Sequence, residues 1–426
     1  MVCAPDLNWL FLDLNSYFAS VEQQVEPRLR GRPVAVSALK GSDASCAIAA
    51  SYEAKAYGIK TGTPIWEARR MCPGLVVVPA RHDMYVEFHH KILTEMERHL
   101  PITQVCSVDE AACRLRGRDR QPEVAIAIAR AMKSGIRARV GQAIQCSVGI
   151  APSRLLAKIA TDMQKPDGLT VLMPDALPGR LLNLKLTDLP GISVGMERRL
   201  WRHRITTVEQ FWHLSPRRAR AIWGSVLGER FWRAFRGEDI EVCPETPHKR
   251  SVSHSHMLPP AMRPAPQARK VLRRLAQKAA ARMRRHACVT PRLWVMVRCQ
   301  DGQGLTTPRW AQEIKMAPTD DTLAILAAVD QLWAGFNPPD HLQIKKVGVA
   351  LVGLSPKGDV PDDLLTWATA PDYAPQRQAL WQGVDHLNAR YGKDTVTVGM
   401  PKTVTTDYVG AKIAFNRIPE IEEFYE

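Results

Sequence analysis

The sequence predicts a multi-domain protein of mixed α/β and α+β class, and three observations carry that expectation. Short apolar runs alternate with helically spaced stretches up to about residue 170. Residues 175–235 are dense in Leu, Arg and Trp and are broken at Pro190, Gly191, Pro216 and Gly228. Past a Pro-containing linker at 242–250, strand candidates flank a long basic helix. A length of 426 residues exceeds one ordinary core and suits several domains.

Residues 8–14 form an apolar run ending in an acid, and 32–37 form a second strand candidate after an Arg-rich connection, giving an early βαβ-like unit. Residues 46–50 and 75–78 read as further strands. Residues 85–100 read as a helix, because Tyr85, Phe88, Ile92 and Met96 share one face. A strand at 105–108, a helix at 123–139 and a strand at 143–150 continue the alternation and imply one mixed sheet. Residues 175–235 read as a small helical domain. The third unit is expected to hold strands at 251–256, 293–298 and 346–352 with helices between them. Beyond 356 come a Pro- and Asp-containing stretch, a helix near 377–391 and a tail. There is no internal repeat and no low-complexity block.

Hydrophobic content of 45% and charged content of 24% are those of a soluble globular protein, and no stretch is apolar for long enough to cross a bilayer. Residues 1–12 lack a basic start and run straight into Asp13. They read as a first strand rather than a secretory signal, which points to the cytoplasm. Nine cysteines, scattered and without a CxxC pair, fit reduced thiols and no zinc site.

The formal net charge of +15 favours a polyanionic partner, although a generally basic surface would give the same total. Its location decides between them: residues 249–298 hold thirteen Lys and Arg and no Asp or Glu. A solvated face would mix signs. Within the block Val271, Leu275 and Ala279 fall at helical spacing with Lys and Arg around them, which predicts a helix with one buried stripe and one phosphate-tracking face. Lys249, Arg250, Arg273, Arg274 and Arg284 are its DNA-binding candidates.

Asp13 closes an apolar strand, so either it caps the next helix or a cation neutralises it, since a buried lone carboxylate costs several kcal/mol. Asp109 and Glu110 follow another short apolar run. Such pairs also occur on surfaces, as Glu238-Asp239 and Glu422-Glu423 illustrate. Taken together, three carboxylates at the ends of neighbouring strands suit two Mg2+ ions, an arrangement that activates a 3′-hydroxyl and stabilises a leaving pyrophosphate.

The strings FLDLNSYFASVEQQ and LRGRPVAV, then SYEAKAYGIKTGTPI, SVDEA and CSVGIAPSRLLAKIATDMQKPDGLTVL, resemble in order and spacing the Y-family DNA polymerases of the bacterial polymerase IV and polymerase V type. The resemblance implies a right-hand polymerase. Its parts would be a palm at 1–26 and 81–170, small fingers at 27–80, a thumb with a helix-hairpin-helix at 171–243, and an α/β little finger at 249–356. The 357–426 extension matches no part of known role. It implies that Asp13, Asp109 and Glu110 bind two Mg2+ ions, with Mn2+ as a substitute, and that the carbonyl of Leu14 completes one site. Phe18 falls on the family's steric gate against the ribose 2′-hydroxyl, with Tyr17 lining the same pocket. Tyr52, Lys55 and Lys165 fall on triphosphate contacts, Lys158 is a lesser candidate, and Ser107 orients the acids. Gly191, Ser193 and Gly195 lie in the hairpin that would offer N–H groups to a DNA phosphate, with Ser193 in place of a second glycine.

Other departures are Lys55 for the Arg usual in polymerase IV types, Asn15 for a second Asp, and Ala112-Cys113-Arg114 for aromatic-Leu-Asp, which alters packing beneath the acids. A string at 331–336 loosely resembles a sliding-clamp peptide but falls in an expected helix and reads as core, which leaves the clamp a candidate partner only. The implied activity is low-fidelity translesion synthesis by a monomer acting on primer-template DNA and dNTPs, away from membranes. One competing reading is an inactive polymerase-shaped accessory protein, disfavoured by the three acids and Lys165. The other is a nucleotide cyclase, which needs neither the hairpin nor the basic block.

Overall fold

The computed structural model describes residues 7–38, 43, 45–240, 250–301, 309–339, 341–359, 374–392 and 395–399. They form two compact units parted near residue 242. The first opens with β1 (Trp9–Leu14), α1 (Tyr17–Val25), β2 (Val34–Ser37), β3 (Ala47–Ala50), α2 (Tyr52–Lys55), α3 (Ile65–Met71), β4 (Val76–Pro79) and α4 (His82–Glu97). It continues with β5 (Gln104–Val105), β6 (Glu110–Arg114), α5 (Pro122–Gly135), β7 (Cys146–Ala151), α6 (Arg154–Met163) and β8 (Leu169–Val171).

The single sheet expected up to residue 170 is in fact two. One runs β5-β6-β1-β7-β8 and the other β3-β2-β4, so β1 and β2 do not share a βαβ unit. β2 pairs in parallel with β4, Val34 opposite Val76, over its own small Ala-rich core that includes Ala35, Ala50 and Ala68. A short apolar run does not encode which sheet it joins. The strand expected at 105–108 shrinks to Gln104–Val105. The N–H groups of both Cys106 and Ser107 reach the Glu110 carbonyl, folding 106–109 into a bend that carries Asp109.

Because β1 is central, both of its faces are buried. Alternation sends Leu10, Leu12 and Leu14 into a core with Tyr85, Ile92 and Met132, and Trp9 and Phe11 into a second core with Leu156, Leu200 and Phe235. That second core reaches the helical segment, α7 (Val194–Arg202), α8 (Val208–Trp212), α9 (Pro216–Trp223) and α10 (Val226–Phe235). Pro216 starts α9 at its first turn, where a missing N–H costs nothing, and the Ser215 hydroxyl accepts from Arg218 N at 3.2 Å. Gly228 does not break the chain as expected. It lies inside α10, where a Cβ would stand 2.3 Å from the Ala219 carbonyl, so it is the contact point of two helices.

The second unit comprises β9 (Ser251–Met257), α11 (Ala265–Arg285), β10 (Cys288–Gln300), β11 (Trp310–Thr319), α12 (Thr322–Ala334), β12 (Gln343–Val352), β13 (Ser355–Pro356) and α13 (Ala374–Tyr391), with its main sheet ordered β11-β10-β12-β9. The sequence reading missed β11. It is an edge strand whose residues are exposed or half-buried, so it lacks an apolar run. α11 buries Val271, Leu275 and Ala279 as expected, with Leu272, Ala276 and Met283 beside them. Leu332, Trp333 and Phe336 pack against the same core, which accounts for the clamp-like string. α13 docks here: Trp381 is 3% exposed and its Nε1 donates to Asp321 at 2.7 Å, while Arg284 grips Asp385 through two bonds of 2.7 and 2.8 Å. Among the described residues no helix is long and apolar enough to cross a membrane.

Glu95 on α4 is buried and accepts from Arg139 Nε at 2.6 Å and lies 2.9 Å from His99 Nε2. The Arg139 bond, with His99 behind it, holds the carboxyl down at about 2 against an ordinary 4.5. A depressed carboxyl stabilises the fold above its unfolded pKa and loses that contribution as pH falls through the folded value. Glu95→Gln should therefore weaken the fold at neutral pH and flatten the loss of stability between about pH 4.5 and 2, read from urea unfolding at each pH.

Candidate active site

Asp13 lies on the Trp9 and Phe11 face of β1, since residues two apart point the same way. Glu110, the first residue of β6, stands directly opposite it in the antiparallel register, so the two carboxylates are neighbours on one face. Like charges so placed repel, and Asp13 is buried as well. Its carboxyl is pushed up to about 6, chiefly by burial and further by Glu110, and is pulled back by Lys165 and Lys158.

α6 supplies the counter-charge. Gly149 on β7 permits its approach, because a Cβ there would meet the Ala157 carbonyl at 2.0 Å. Lys158 passes over the Phe11 ring, 5.1 Å from its centre, donates to Glu110 and lies 4.0 Å from Asp13. Just past the helix, Lys165 Nζ is 2.8 Å from both Asp13 and Asp162. Burial opposes the Lys165 charge, but these two acids outweigh it and hold its pKa above the ordinary value.

The Lys165 loop is tied from behind. The Asn15 amide oxygen accepts from Asp167 N at 2.7 Å, and its Nδ2 donates to Ser147 Oγ at 3.1 Å. The amide both accepts and donates here, whereas an Asp at position 15 could only accept, from Asp167 N and from the Ser147 hydroxyl. Lys133 Nζ adds bonds to the carbonyls of Cys146, Asp167 and Gly168 at 2.6–3.0 Å. Ser16, at φ +49, turns the chain sharply from this anchor into α1.

The structure does not bring the Asp109 carboxylate into a common cage with the other two acids. Its Oδ1 accepts from Ser107 Oγ at 2.5 Å, while its carbonyl accepts from Leu14 N at 2.9 Å. Among the described residues no three acidic, imidazole or thiol groups converge on one cation position. The donor chemistry nonetheless fits Mg2+: carboxylates and a main-chain carbonyl are hard oxygen ligands, and the ammoniums on Asp13 and Glu110 mark where positive charge is drawn.

Around this centre, Phe18 lies flat on Tyr85 with ring centres 4.3 Å apart and has His82 edge-on at 6.1 Å. Tyr17 is buried and its hydroxyl donates to the Tyr85 carbonyl at 2.6 Å. Tyr85 in turn donates to the buried Glu22 at 2.7 Å, which Arg81 also holds. Lys55 Nζ sits 4.5 Å over the Tyr52 ring; its pKa is lowered by burial and by repulsion from Lys165, so both lysines address the same space. Sequence reasoning missed Tyr85 and Glu22, which look like plain helix residues, and undervalued Lys158, whose role depends on a cross-sheet neighbour.

The DNA-binding candidates divide. Gly191 sits at φ +96, Ser193 is the N-cap of α7 and Gly195 lies in its first turn, so this helix start offers N–H groups. Arg250 is exposed. Arg273 pairs with Asp330, which also takes Arg269, and Arg284 is committed to Asp385, so the acid-free block finds its acids elsewhere in the chain. Lys249 lies outside the described residues.

A five-stranded sheet with paired acids backed by lysines, a small second sheet and helices in one unit, and a further α/β unit after it in sequence, make up the fold class of a template-copying polymerase. Residues 12–162 match the impB/mucB/samB family and residues 249–364 that family's C-terminal domain. DNA polymerase IV of Moorella thermoacetica is 35% identical over 92% of this chain and 96% of its own length, and DNA polymerase IV 1 of Bacillus subtilis is 26% identical over 91% of each. Among solved structures, a Y-family DNA polymerase chimera superposes with a TM-score of 0.67 at 24% identity, covering 82% of this chain and 99% of that one. DinB of Sulfolobus solfataricus gives 0.51 at 23% with the same coverage. The chain belongs to the Y family of DNA polymerases, in its DinB branch.

Gly149→Ala tests how α6 carries the site. The clash with the Ala157 carbonyl should cost about 1–3 kcal/mol of stability. It should also lower activity more than the lost folded fraction explains, as seen by comparing specific activity with the unfolding midpoint.

Proposed function

We propose that this chain extends a primer 3′-hydroxyl with deoxynucleotides across damaged template, and that Asp13, Asp109, Glu110 and the Leu14 carbonyl hold two Mg2+ ions for the purpose. The observation that carries the reading is the in-register pairing of Asp13 with Glu110 on a central strand, balanced by Lys158 and Lys165. Divalent ions held at these oxygens would activate the 3′-oxygen and neutralise charge on the departing pyrophosphate.

The protein's own groups divide the remaining work. Lys165, Lys55 and the Tyr52 hydroxyl face one space and would orient the triphosphate, with the ammoniums opposing the charge that builds on the leaving group. Phe18, backed by Tyr85, would fill the volume beside the sugar 2′-carbon, and Tyr17 would close the pocket behind it. The α7 start at Gly191, Ser193 and Gly195, with Arg250 and Arg274 in the second unit, would meet DNA phosphates. In this reading the sheet β5-β6-β1-β7-β8 serves as palm, β3-β2-β4 as fingers, α7–α10 as thumb and the second unit as little finger. Short fingers make few checks on the nascent pair, which favours low fidelity. The full acid set disfavours an inactive accessory role. Cytoplasmic location and a monomeric state belong to the same proposal, with the sliding clamp its candidate partner.

Primer extension on undamaged template with Mg2+ tests the chemistry: wild type should extend and Asp109→Ala/Glu110→Ala should not, while equal extension by both would refute the acid assignment. Phe18→Ala should raise ribonucleotide use relative to deoxyribonucleotide by more than about tenfold, equivalent to roughly 1.4 kcal/mol in the barrier. Unchanged sugar selection in single-nucleotide kinetics would remove Phe18 from the gate.

A further inference from the structure

We propose that His89 is a positioning residue for the bend that carries Asp109, acting through the carbonyl of Val108. The inference rests on the metal-binding reading of Asp109. His89 lies on α4, one turn beyond the Tyr85 that backs Phe18, and is 2% exposed. Its Nδ1 is 2.8 Å from the Val108 carbonyl, across nineteen residues of sequence. A carbonyl only accepts, so Nδ1 carries the hydrogen, and the neutral ring leaves Nε2 bare. Nε2 is buried and meets no hydrogen-bond partner.

A residue chosen for packing alone would not leave a nitrogen stranded, because an apolar ring fills the same volume without that penalty. The cost points to the other side of the ring. The 106–109 bend is also held by bonds to its own neighbour Glu110, by Arg154 on Cys106 Sγ, by Ser107 Oγ on Asp109, and by Leu14 N on the Asp109 carbonyl. These hold the bend from the sheet side, Asp109 N also donating to Ser107 Oγ at 3.4 Å, while the carbonyl end of the same Val108–Asp109 peptide is met from the helix side by His89. Because Val108 directly precedes Asp109, its peptide orientation sets the direction in which the third carboxylate leaves the bend. α4 thus braces the sugar selector through Tyr85 and the acid-bearing bend through His89, from one face of one helix.

The test compares His89→Phe, which keeps the ring volume without the donor, with His89→Asn, whose Nδ2 falls near the original Nδ1. Mn2+ affinity is measured by the loss of the free-ion EPR signal in the complex with primer-template and a non-hydrolysable dNTP, and half-saturating Mg2+ is measured in single-turnover extension. His89→Phe should weaken Mn2+ binding and raise the Mg2+ requirement by about 10–100-fold, the usual loss when a ligand's orienting partner is removed. His89→Asn should regain most of it, with the Kd for DNA unchanged in both. Wild-type Mn2+ affinity in His89→Phe would overturn the proposal, as would a folded His89→Asn as weak as His89→Phe. If His89→Phe does not fold, His89→Asn against His89→Leu reads the same difference. An Asp109→Ala enzyme that binds Mn2+ and extends primers normally would instead sink the underlying metal reading; if Asp109→Ala is inactive while His89→Phe behaves as wild type, only the role of His89 falls.

Discussion

A carboxylate on the central strand of a sheet sets the terms for the first unit. Asp13 faces Glu110 across one ladder and has little water to solvate it, so the fold must deliver cations to that spot. It does so through α6, which can come close only because position 149 is glycine, and through a loop whose backbone is bonded by Asn15, Ser147 and Lys133. The ammoniums of Lys158 and Lys165 thus act as internal counter-ions as well as candidate substrate contacts. A site built this way is held under charge tension, which suits chemistry in which positive charge enters with the substrate.

The aromatic group around Phe18 obeys a similar logic with different forces. Phe18 is fixed by stacking on Tyr85, Tyr85 by the buried Glu22, and Glu22 by Arg81. Each link is specific in direction, so the Phe18 ring is set by a chain of contacts reaching from α1 to the start of α4. A steric gate at Phe18, as proposed, would require such rigidity, because a mobile ring would yield to an extra hydroxyl.

Much of this was legible in the sequence. β1, β7 and α11 announce themselves by periodicity, and the Y-family motifs single out the acids, Phe18 and Lys165. What the sequence concealed are properties of pairing. Nothing in 32–37 says that this strand joins β4 rather than β1, and β11 carries too few apolar residues to stand out at a sheet edge. Gly228 reads as a breaker until its neighbour α9 is known. Arg273 and Arg284 look like free phosphate ligands in a run without acids, and only the folded unit shows Asp330 and Asp385 against them. Asp109 likewise looks like a strand end and lies in a bend.

The pairing of Asp330 with both Arg269 and Arg273 gives α11 a counterweight located on a different helix. The positive potential of that surface is therefore a difference between two elements. Loss of the one acid from α12 would release two guanidiniums at once and strengthen the pull on any polyanion without altering the basic helix. Tightness of hold can in this way drift among relatives whose basic blocks read identically, and a tally of arginines along α11 would not register the change.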